Sequence, residues 1–395
     1  MSDYADAPAR PLRVAVAGGG IAGLETLVAL RSLAGDLVQL TLVAPNEDFS
    51  LRALSVLEPF GLGPARRYPL AALTADLGAE WHRDSVARVD RERRTVTLGS
   101  AAELAYDILV IAVGAIPYPA FEHGIVFDRA GRSAAFAALL ADLRSGRAGS
   151  VAVVVPRHCA WTLPGYELAL LLAQIESEKP AGRPAVTLVT SEPQPLAAFG
   201  PSAGDMIRGE LGAAGVELLC DSPAVVRSAR LVDLPHARRL RVARVVHLPL
   251  LAGPRVAGVP SDADGFIPVD ADLQVDDDPD LFAAGDGVAA PYKQGGIAAQ
   301  QADAVAERIA LRAGAQHRAG PNAPVLRAVI WTRRGPRYLR AEPGGGEGDC
   351  VVSDQCLWWP PSKVASRWLT PWLASRDLGG APAPGHRAAR GLPRL

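Results

Sequence analysis

The sequence is poor in three features that would each have indicated a class of protein. Its four cysteines, spread over 395 residues, are too few for a disulfide framework or a metal ribbon. No apolar run approaches the roughly 20 residues that a membrane-spanning helix needs. Its 41 basic and 42 acidic residues nearly cancel, which argues against nucleic acid as a partner. We expect a globular protein of a reducing cytoplasm.

Lysine is also scarce, and arginine supplies almost all of the positive charge. Only Lys179, Lys293 and Lys363 occur in the chain. The N-terminal segment MSDYADAPAR has no hydrophobic stretch, so we do not expect it to be a secretory signal. The length suffices for two or three domains, each with its own core.

The segment LRVAVAGGGIAGLETLVAL predicts a dinucleotide-binding loop. Gly18, Gly20 and Gly23 match the GxGxxG pattern. They lie between an apolar strand at Val14–Ala17 and a helical pattern over Leu24–Leu33. The first glycine permits a tight turn, the second lets the backbone approach a pyrophosphate, and the third lets the helix pack on the strand. N–H groups at the helix N-terminus then face the phosphates.

The second strand of such a unit usually ends in an acid that binds the adenosine ribose. Here the predicted strand Val38–Val43 is followed by Ala44. Asn46, Glu47 and Asp48 in the following loop are alternatives, and the sequence does not select one of them.

Five motifs occur in an order that resembles a known family. They are GGGIAG, DSVARVD (84–90), IAVGA, FAAGD and YKQGGIAAQQADAVAERI. The chain resembles the two-dinucleotide-domain FAD oxidoreductases, which are similar to pyridine nucleotide-disulfide oxidoreductases. It is nearest to the branch of sulfide:quinone oxidoreductases and type II NADH dehydrogenases. The resemblance implies FAD as the cofactor and an α/β fold with two Rossmann-like three-layer domains, the FAD domain being discontinuous.

The resemblance also implies roles for particular residues. Asp286 would accept hydrogen bonds from the ribitol hydroxyls, and Gly285 would let the backbone approach. Lys293 is a candidate catalytic residue beside the isoalloxazine, the alternative being a solvated loop lysine. Arg52 would lie near the pyrophosphate or the ring, unless it forms a surface ion pair. The residues expected to bind the cofactor are Gly18, Gly19, Gly20, Ala22, Gly23, Arg52, Val86, Ala112, Gly114, Gly285, Asp286, Lys293, Gln294 and Gly295.

A helix is predicted from Gly295 through Ile309. Its positive N-terminus would face the pyrimidine edge of the flavin, where negative charge develops on reduction.

A second strand–loop–helix unit, residues 151–172, lacks the glycines of a nucleotide loop. Between Val155 and the helix expected near Gly165 the chain reads PRHCAWTLPG, which places Trp161 where a phosphate needs bare backbone. This bulk argues against a conventional NAD(P)H site, although binding in a shifted pose stays open. The defect and the segment VTLVTSEP strengthen the likeness to the sulfide:quinone oxidoreductases.

Sulfide oxidation in that branch needs two redox cysteines, and this chain lacks both. Trp161 and Ile330 occupy the matching positions, so we do not carry the sulfide activity over. Cys159 is our second catalytic candidate, with Cys350 or Cys356 as its redox partner. The alternative is that Cys159 is a small hydrophobic side chain.

The C-terminal segment CLWWPPSKVASRWLTPWLAS contains four of the seven tryptophans. The four-residue spacing of Val364, Trp368 and Trp372 predicts one helix face, interrupted near Leu369 by Pro371. Such a segment suits a membrane surface that admits quinone, a homodimer interface or a lid over the flavin domain. We favour the last two.

We expect residues 1–115 and 242–325 to form the FAD domain, residues 116–241 a degenerate NAD-binding-like domain, and residues 326–395 an interface region. The predicted function is FAD-dependent transfer of two electrons from an unidentified small-molecule donor to an acceptor such as a quinone. The alternatives are a flavin-binding sensor without turnover and an NAD(P)H-dependent flavoprotein reductase. We expect a cytoplasmic protein without a metal, with peripheral attachment to the inner face of the membrane left open.

Overall fold

The computed structural model describes residues 10–51, 56–62, 66–127, 133–176, 182–316, 319–320, 322–342 and 350–377. Arg52 and Lys179 lie outside the described residues. The α-helices are α1 (Ile21–Ala34), α2 (Leu70–Asp76), α3 (Ala134–Arg144), α4 (Leu163–Ala173), α5 (Pro201–Ala213), α6 (Gly295–Arg312) and α7 (Leu369–Asp377).

The strands are β1 (Leu12–Ala17), β2 (Val38–Val43), β3 (Asp48–Ser50), β4 (Arg67–Pro69), β5 (Glu80–His82), β6 (Val86–Asp90), β7 (Thr95–Leu98), β8 (Glu103–Ala105), β9 (Ile108–Ile111), β10 (Ile116–Tyr118), β11 (Ile125–Val126), β12 (Ser150–Val155), β13 (Ala185–Thr190), β14 (Val216–Leu219), β15 (Val225–Ser228), β16 (Leu231–Asp233), β17 (Arg239–Arg241), β18 (Arg244–His247), β19 (Leu250–Ala252), β20 (Gln274–Val275), β21 (Asp278–Ala283), β22 (Leu326–Thr332), β23 (Gly335–Ala341) and β24 (Cys350–Ser353).

The first large sheet has six strands in the order β20-β21-β9-β1-β2-β5. From β21 to β5 the strands are parallel, and β20 is antiparallel. Four consecutive buried residues end β1, as expected for a strand covered on both faces. One face packs against α1, α6 and α7, and the other against the antiparallel sheet β6-β7-β8. One sheet therefore carries both the GGGIAG motif, which follows β1, and the FAAGD motif, which covers the end of β21.

The second large sheet has five parallel strands in the order β11-β18-β12-β13-β14. Helices α3, α4 and α5 pack on one face, and the small sheet β15-β16-β17 packs on the other. These two parallel sheets confirm the expected α/β class.

The chain passes between the two large sheets twice, at β10 and β19, which pair antiparallel. Strand β18, which follows residue 242, lies in the second large sheet beside β12. The apolar run around β18 does not show by itself whether the strand is a buried parallel strand or a crossover strand, because both have the same pattern.

The third sheet, β22-β23-β24, is antiparallel, and its inner face joins the core of the second large sheet. The segment that follows packs against the first large sheet through Val364, Leu369 and Leu373. The expected helix through Val364 with a stop at Pro371 is wrong, because α7 begins at Leu369 and contains Pro371 in its first turn. Proline is tolerated there, since a first-turn N–H has no partner within the helix.

In the part of the chain that the structure describes, no helix has the length and apolarity that crossing a membrane requires.

Candidate active site

A cavity of about 670 Å³ lies where the two large sheets, the β10–β19 connection and the C-terminal segment meet. Its volume is in the range typical of cofactor and ligand sites. One part is lined by the loops that follow β1, β2, β9 and β21. Another part is lined by the loop after β12, by β22 and by Lys363 and Val364.

The glycine loop after β1 fits a dinucleotide. Gly18 has φ +118°, and a Cβ there would lie 2.2 Å from the carbonyl oxygen of Ala112. A Cβ on Gly23 would lie 1.8 Å from the carbonyl oxygen of Gly18, so this glycine permits the packing of α1. Gly20 differs from both, because no atom lies within 4 Å of its Cβ position. The second glycine therefore faces the open cavity at the N-terminus of α1, where a diphosphate would be held.

The segment after β2 contributes polar side chains to the cavity lining. Asn46 and Asp48 line the cavity. Glu47 instead pairs with Arg83 at 2.6 Å on the surface. Val86 also lines the cavity. Of the three alternatives for the ribose-binding group, Asn46 and Asp48 thus line the cavity and Glu47 does not.

Asp286 lines the cavity at the end of β21. The preceding Gly285 has φ +89°, and its N–H donates to Oε1 of Gln301 at 2.8 Å. Gln301 is buried in α6 and fixes the turn that presents Asp286. We did not identify Gln301 from the sequence, because its role depends on the packing of α6 against the turn.

Lys293 is buried beside the cavity, with 4% of its surface exposed. Its ammonium group donates to the carbonyl oxygen of Val288 and lies 3.8 Å from the centroid of the Phe266 ring. Burial lowers the pKa of Lys293 to about 8, although the charges of Asp286 and Asp262 oppose this shift. A lysine with this pKa can be charged or neutral near physiological pH.

Gln294 and Gly295 bring the N-terminus of α6 to the cavity. The Gln294 side chain caps the helix by accepting from the N–H of Ile297 at 2.9 Å, and it donates to the carbonyl oxygen of Arg327 at 2.8 Å. A Cβ on Gly295 would lie 3.1 Å from a methyl group of Val364. The C-terminal segment therefore closes over this helix terminus.

Cys159 lines the cavity and is half-buried, and its sulfur lies 3.3 Å from the carbonyl oxygen of Trp161. Cys350 and Cys356 do not line the cavity, and none of the four cysteines, all of which are described, forms a disulfide. The hypothesised redox partner of Cys159 is thus not among the residues that line the cavity. His123 and His158 are also absent from the lining of the cavity.

The loop after β12 packs against side chains of neighbouring elements. The Trp161 ring packs edge-on against Phe199, with centroids 5.8 Å apart. Glu192 follows β13, where a nucleotide domain places its ribose-binding acid. Here it accepts from Tyr166 Oη at 2.5 Å and from Thr162 Oγ1 at 3.1 Å. The Glu192 carboxylate is therefore already hydrogen-bonded within the protein.

A buried ion pair also lines the cavity, and the sequence alone did not predict it. The ammonium group of Lys363 donates to the carboxylate of Glu167 in α4, and both residues line the cavity. Burial raises the pKa of Glu167 and lowers the pKa of Lys363, while the attraction between their charges opposes both shifts. The scarcity of lysine was the available signal, but nothing in the sequence linked Lys363 to Glu167.

The predicted cofactor residues converge on the cavity with two exceptions. Gly23 lies behind the loop and acts through packing, and Arg52 is not described. The following predicted residues line the cavity: Gly18, Gly19, Gly20, Ala22, Val86, Ala112, Gly114, Gly285, Asp286, Lys293, Gln294 and Gly295.

Residues 12–309 match the family model of the pyridine nucleotide-disulphide oxidoreductases. The chain belongs to this family. No curated protein matches its sequence. This oxidoreductase uses FAD, and the glycine loop that faces the open cavity fits that cofactor. When bound, FAD supplies the capacity to accept and release two electrons.

Solved structures confirm the fold. The chain is similar to the sulfide:quinone oxidoreductase of Aquifex aeolicus, with a TM-score of 0.75 and 21% identity over 87% of this chain and 86% of that one. It is also similar to an NAD-dependent persulfide reductase of A. fulgidus, with a TM-score of 0.64 and 20% identity over 86% of this chain and 65% of that one. A ferredoxin reductase of Rhodopseudomonas palustris gives a TM-score of 0.63 and 21% identity over 84% and 83% of the two chains.

Proposed function

We propose that this FAD-dependent oxidoreductase passes two electrons from a small-molecule donor to a small, largely apolar acceptor of the quinone class, without binding NAD(P)H on its second large sheet. The domain division that goes with this proposal assigns residues 1–115 and about 249–325 to the FAD domain. Residues 116–248 form the degenerate nucleotide domain, and β22 together with the segment at Lys363 and Val364 covers one side of the cavity.

The observation that carries this proposal is the state of the loop after β12. Trp161 occupies the place where a phosphate would approach, and Glu192 is engaged by Tyr166 and Thr162. A dinucleotide bound there would have to displace a packed aromatic side chain and break buried hydrogen bonds. The same loop instead presents an apolar wall to the cavity, together with neighbours from other elements: Phe127, Trp161, Leu163, Leu248, Leu251 and Val329.

An apolar wall favours a planar, weakly polar acceptor over a charged dinucleotide. The likeness to a sulfide:quinone oxidoreductase supports this choice of acceptor class. Reduction of a quinone to a quinol takes up two protons with the two electrons. Glu167 and Lys363 are suited to hold and deliver one of these protons, because the buried ion pair that they form lines the cavity. We assign the proton to the Lys363 ammonium group at rest.

Lys293 has a different role in this proposal. Its ammonium group is fixed by Val288 and Phe266 near the N-terminus of α6, and it adds positive charge beside Asp286. Positive charge at this position stabilises the negative charge that reduction places on a flavin ring. Cys159 contributes to the cavity wall in this account and has no redox role.

Anaerobic rapid mixing tests the proposal. The oxidised holoprotein is mixed with NADH or NADPH, and the photoreduced holoprotein is mixed with duroquinone. We expect no flavin bleaching by either nicotinamide within seconds and complete reoxidation by the quinone. Rapid bleaching by NADH would favour the reductase alternative, and resistance to every quinone would favour a sensor without turnover. A Cys159→Ser variant should react as the wild type does, and loss of its turnover would restore the redox role.

A further inference from the structure

Arg327 is a half-buried cation that lines the cavity without a countercharge. It belongs to β22, and no carboxylate within the described residues forms an ion pair or hydrogen bond with its side chain. The partly buried Arg91, Arg244 and Arg337 provide a contrast, because each pairs with a carboxylate. A partly desolvated guanidinium with unfilled donors is costly unless something supplies an acceptor.

A second arginine increases the positive charge at this place. Arg340 of β23 lies directly opposite Arg327 in the antiparallel register and is also half-buried. Like charges in directly opposed positions destabilise a sheet. Burial and the Arg340 charge together lower the pKa of Arg327. An anion bound by Arg327 and Arg340 would relieve the repulsion between their two guanidinium groups.

The acid that acts electrostatically on Arg327 is Asp303, and it is not available as a counterion. Burial and the neighbouring Glu25 raise the pKa of Asp303 to about 10, and burial also raises the pKa of Glu25. Its partner Glu25 accepts hydrogen bonds from the backbone N–H groups of Trp368 and Leu369 at 2.8 and 2.7 Å. The Glu25 side chain is thus engaged at the N-terminus of α7.

The other cations of the cavity are already engaged. Lys363 is paired with Glu167, and Lys293 donates to Val288 beside Asp286. Arg255 is exposed and donates to the carbonyl oxygen of Ala263. Arg327 consequently remains as the cation of the cavity lining whose side chain forms no hydrogen bond or ion pair with another described residue.

The geometry points to Arg327, supported by Arg340, as an anion-recognition site for an acidic group on the small molecule that exchanges electrons with FAD. The substrate class is an apolar redox molecule that carries a carboxylate, sulfonate or phosphate. The apolar wall at Val329, two residues along the same strand face, would contact the body of such a molecule while the arginine fork binds its acidic group. This inference rests on the proposed function where it names a redox molecule as the ligand. The binding of an anion at Arg327 does not depend on that function.

The first test compares two quinones that differ in one acidic group. Photoreduced holoprotein is reoxidised by 1,4-naphthoquinone or by 1,4-naphthoquinone-2-sulfonate in the wild type, Arg327→Gln, Arg327→Lys and the control Arg333→Gln, an exposed residue outside the cavity lining. For Arg327→Gln we expect the second-order rate constant with the sulfonate to fall about 10- to 100-fold, the range for one lost charge-assisted hydrogen bond. The constant with the neutral quinone should change less than about twofold on the same grounds, and Arg327→Lys should be intermediate.

Equal losses for both quinones, or no loss for either, would overturn the inference. Loss of FAD from Arg327→Gln would overturn it too, because Arg327 would then be a cofactor contact. A second measurement covers the case in which no quinone reoxidises the wild type and the proposed function fails. Titration of oxidised holoprotein with naphthalene-2-sulfonate, followed by the flavin spectrum, should show binding that Arg327→Gln weakens and Arg333→Gln retains. Equal affinity in all variants would remove the anion site.

Discussion

The ammonium group of Lys363 donates to the carboxylate of Glu167, which lies 196 residues earlier in the chain. The contact joins the C-terminal segment to α4 of the second sheet and closes one side of the cavity. Neither side chain is more than 6% exposed. An ion pair this deeply buried is costly to break, because either partner alone would be an uncompensated charge.

Glu167→Gln should therefore destabilise the fold by about 3–5 kcal/mol, the range for loss of one partner of a buried pair. The double variant Glu167→Met/Lys363→Met should recover most of this loss, since no buried charge remains. Urea denaturation followed by circular dichroism measures both. The exposed pair of Arg93 and Glu103 gives the control, for which Glu103→Gln should cost less than about 1 kcal/mol. Additive losses in the double variant would show that the two charges do not interact.

Lys293→Met should lower the midpoint potential of the bound FAD. The ammonium group adds positive charge beside Asp286, and its loss should cost about 30 mV, which corresponds to about 1.4 kcal/mol for two electrons. Because burial lowers the pKa of Lys293 to about 8, the difference between variant and wild type should be largest below pH 8 and shrink above it. Potentiometric titration at pH 6.5 and 9.5 measures this trend. A difference in midpoint potential that is the same at both pH values would show that Lys293 does not titrate between them.

Asp303→Asn should flatten the pH dependence of stability. The folded state keeps the Asp303 proton up to a pKa of about 10, whereas the unfolded chain releases it near the ordinary value of 3.8. Between these two pKa values, folding takes up a proton. The free energy of unfolding that Asp303 contributes therefore falls as pH rises, by up to about 1.4 kcal/mol per pH unit.

Asparagine keeps a donor for Glu25 without this proton uptake. Urea denaturation at pH 6, 7.5 and 9 should therefore show a steeper decline for the wild type than for Asp303→Asn. The exposed Asp272, which pairs with Arg308 of α6, supplies the control, and Asp272→Asn should follow the wild type. Parallel curves for wild type and Asp303→Asn would mean that Asp303 is ionised in the folded protein.

The sequence predicted the units whose signals are local. The glycine loop between Val14–Ala17 and Leu24–Leu33 lies between β1 and α1, and the strand predicted at Val38–Val43 has the same bounds in the structure. Each depends on an apolar run and on residues within one turn of it. The helix expected near Gly165 also exists, although it begins two residues earlier, at Leu163.

Features that depend on distant packing were not predictable in this way. Glu25 is a polar residue within an apolar helix pattern, and only the fold shows that it caps α7, 343 residues away. Gln301 looked like one residue of an amphipathic helix, yet it holds the turn before Asp286. The tail helix was placed too early because apolar spacing of four residues does not by itself show where the first hydrogen-bonded turn begins.

The binding of FAD against the loop of Gly18 to Gly23 is most directly tested by replacing Gly20, whose backbone at φ −88° suits any residue and whose Cβ position faces open space. The FAD content per chain is measured after reconstitution and gel filtration, beside Gly209→Val, a control at an exposed helix position with equal open space. We predict one FAD per chain for the wild type and for Gly209→Val, and a folded, colourless Gly20→Val. A Gly20→Val protein that retains a full complement of FAD, or a wild type that never binds it, would contradict the account.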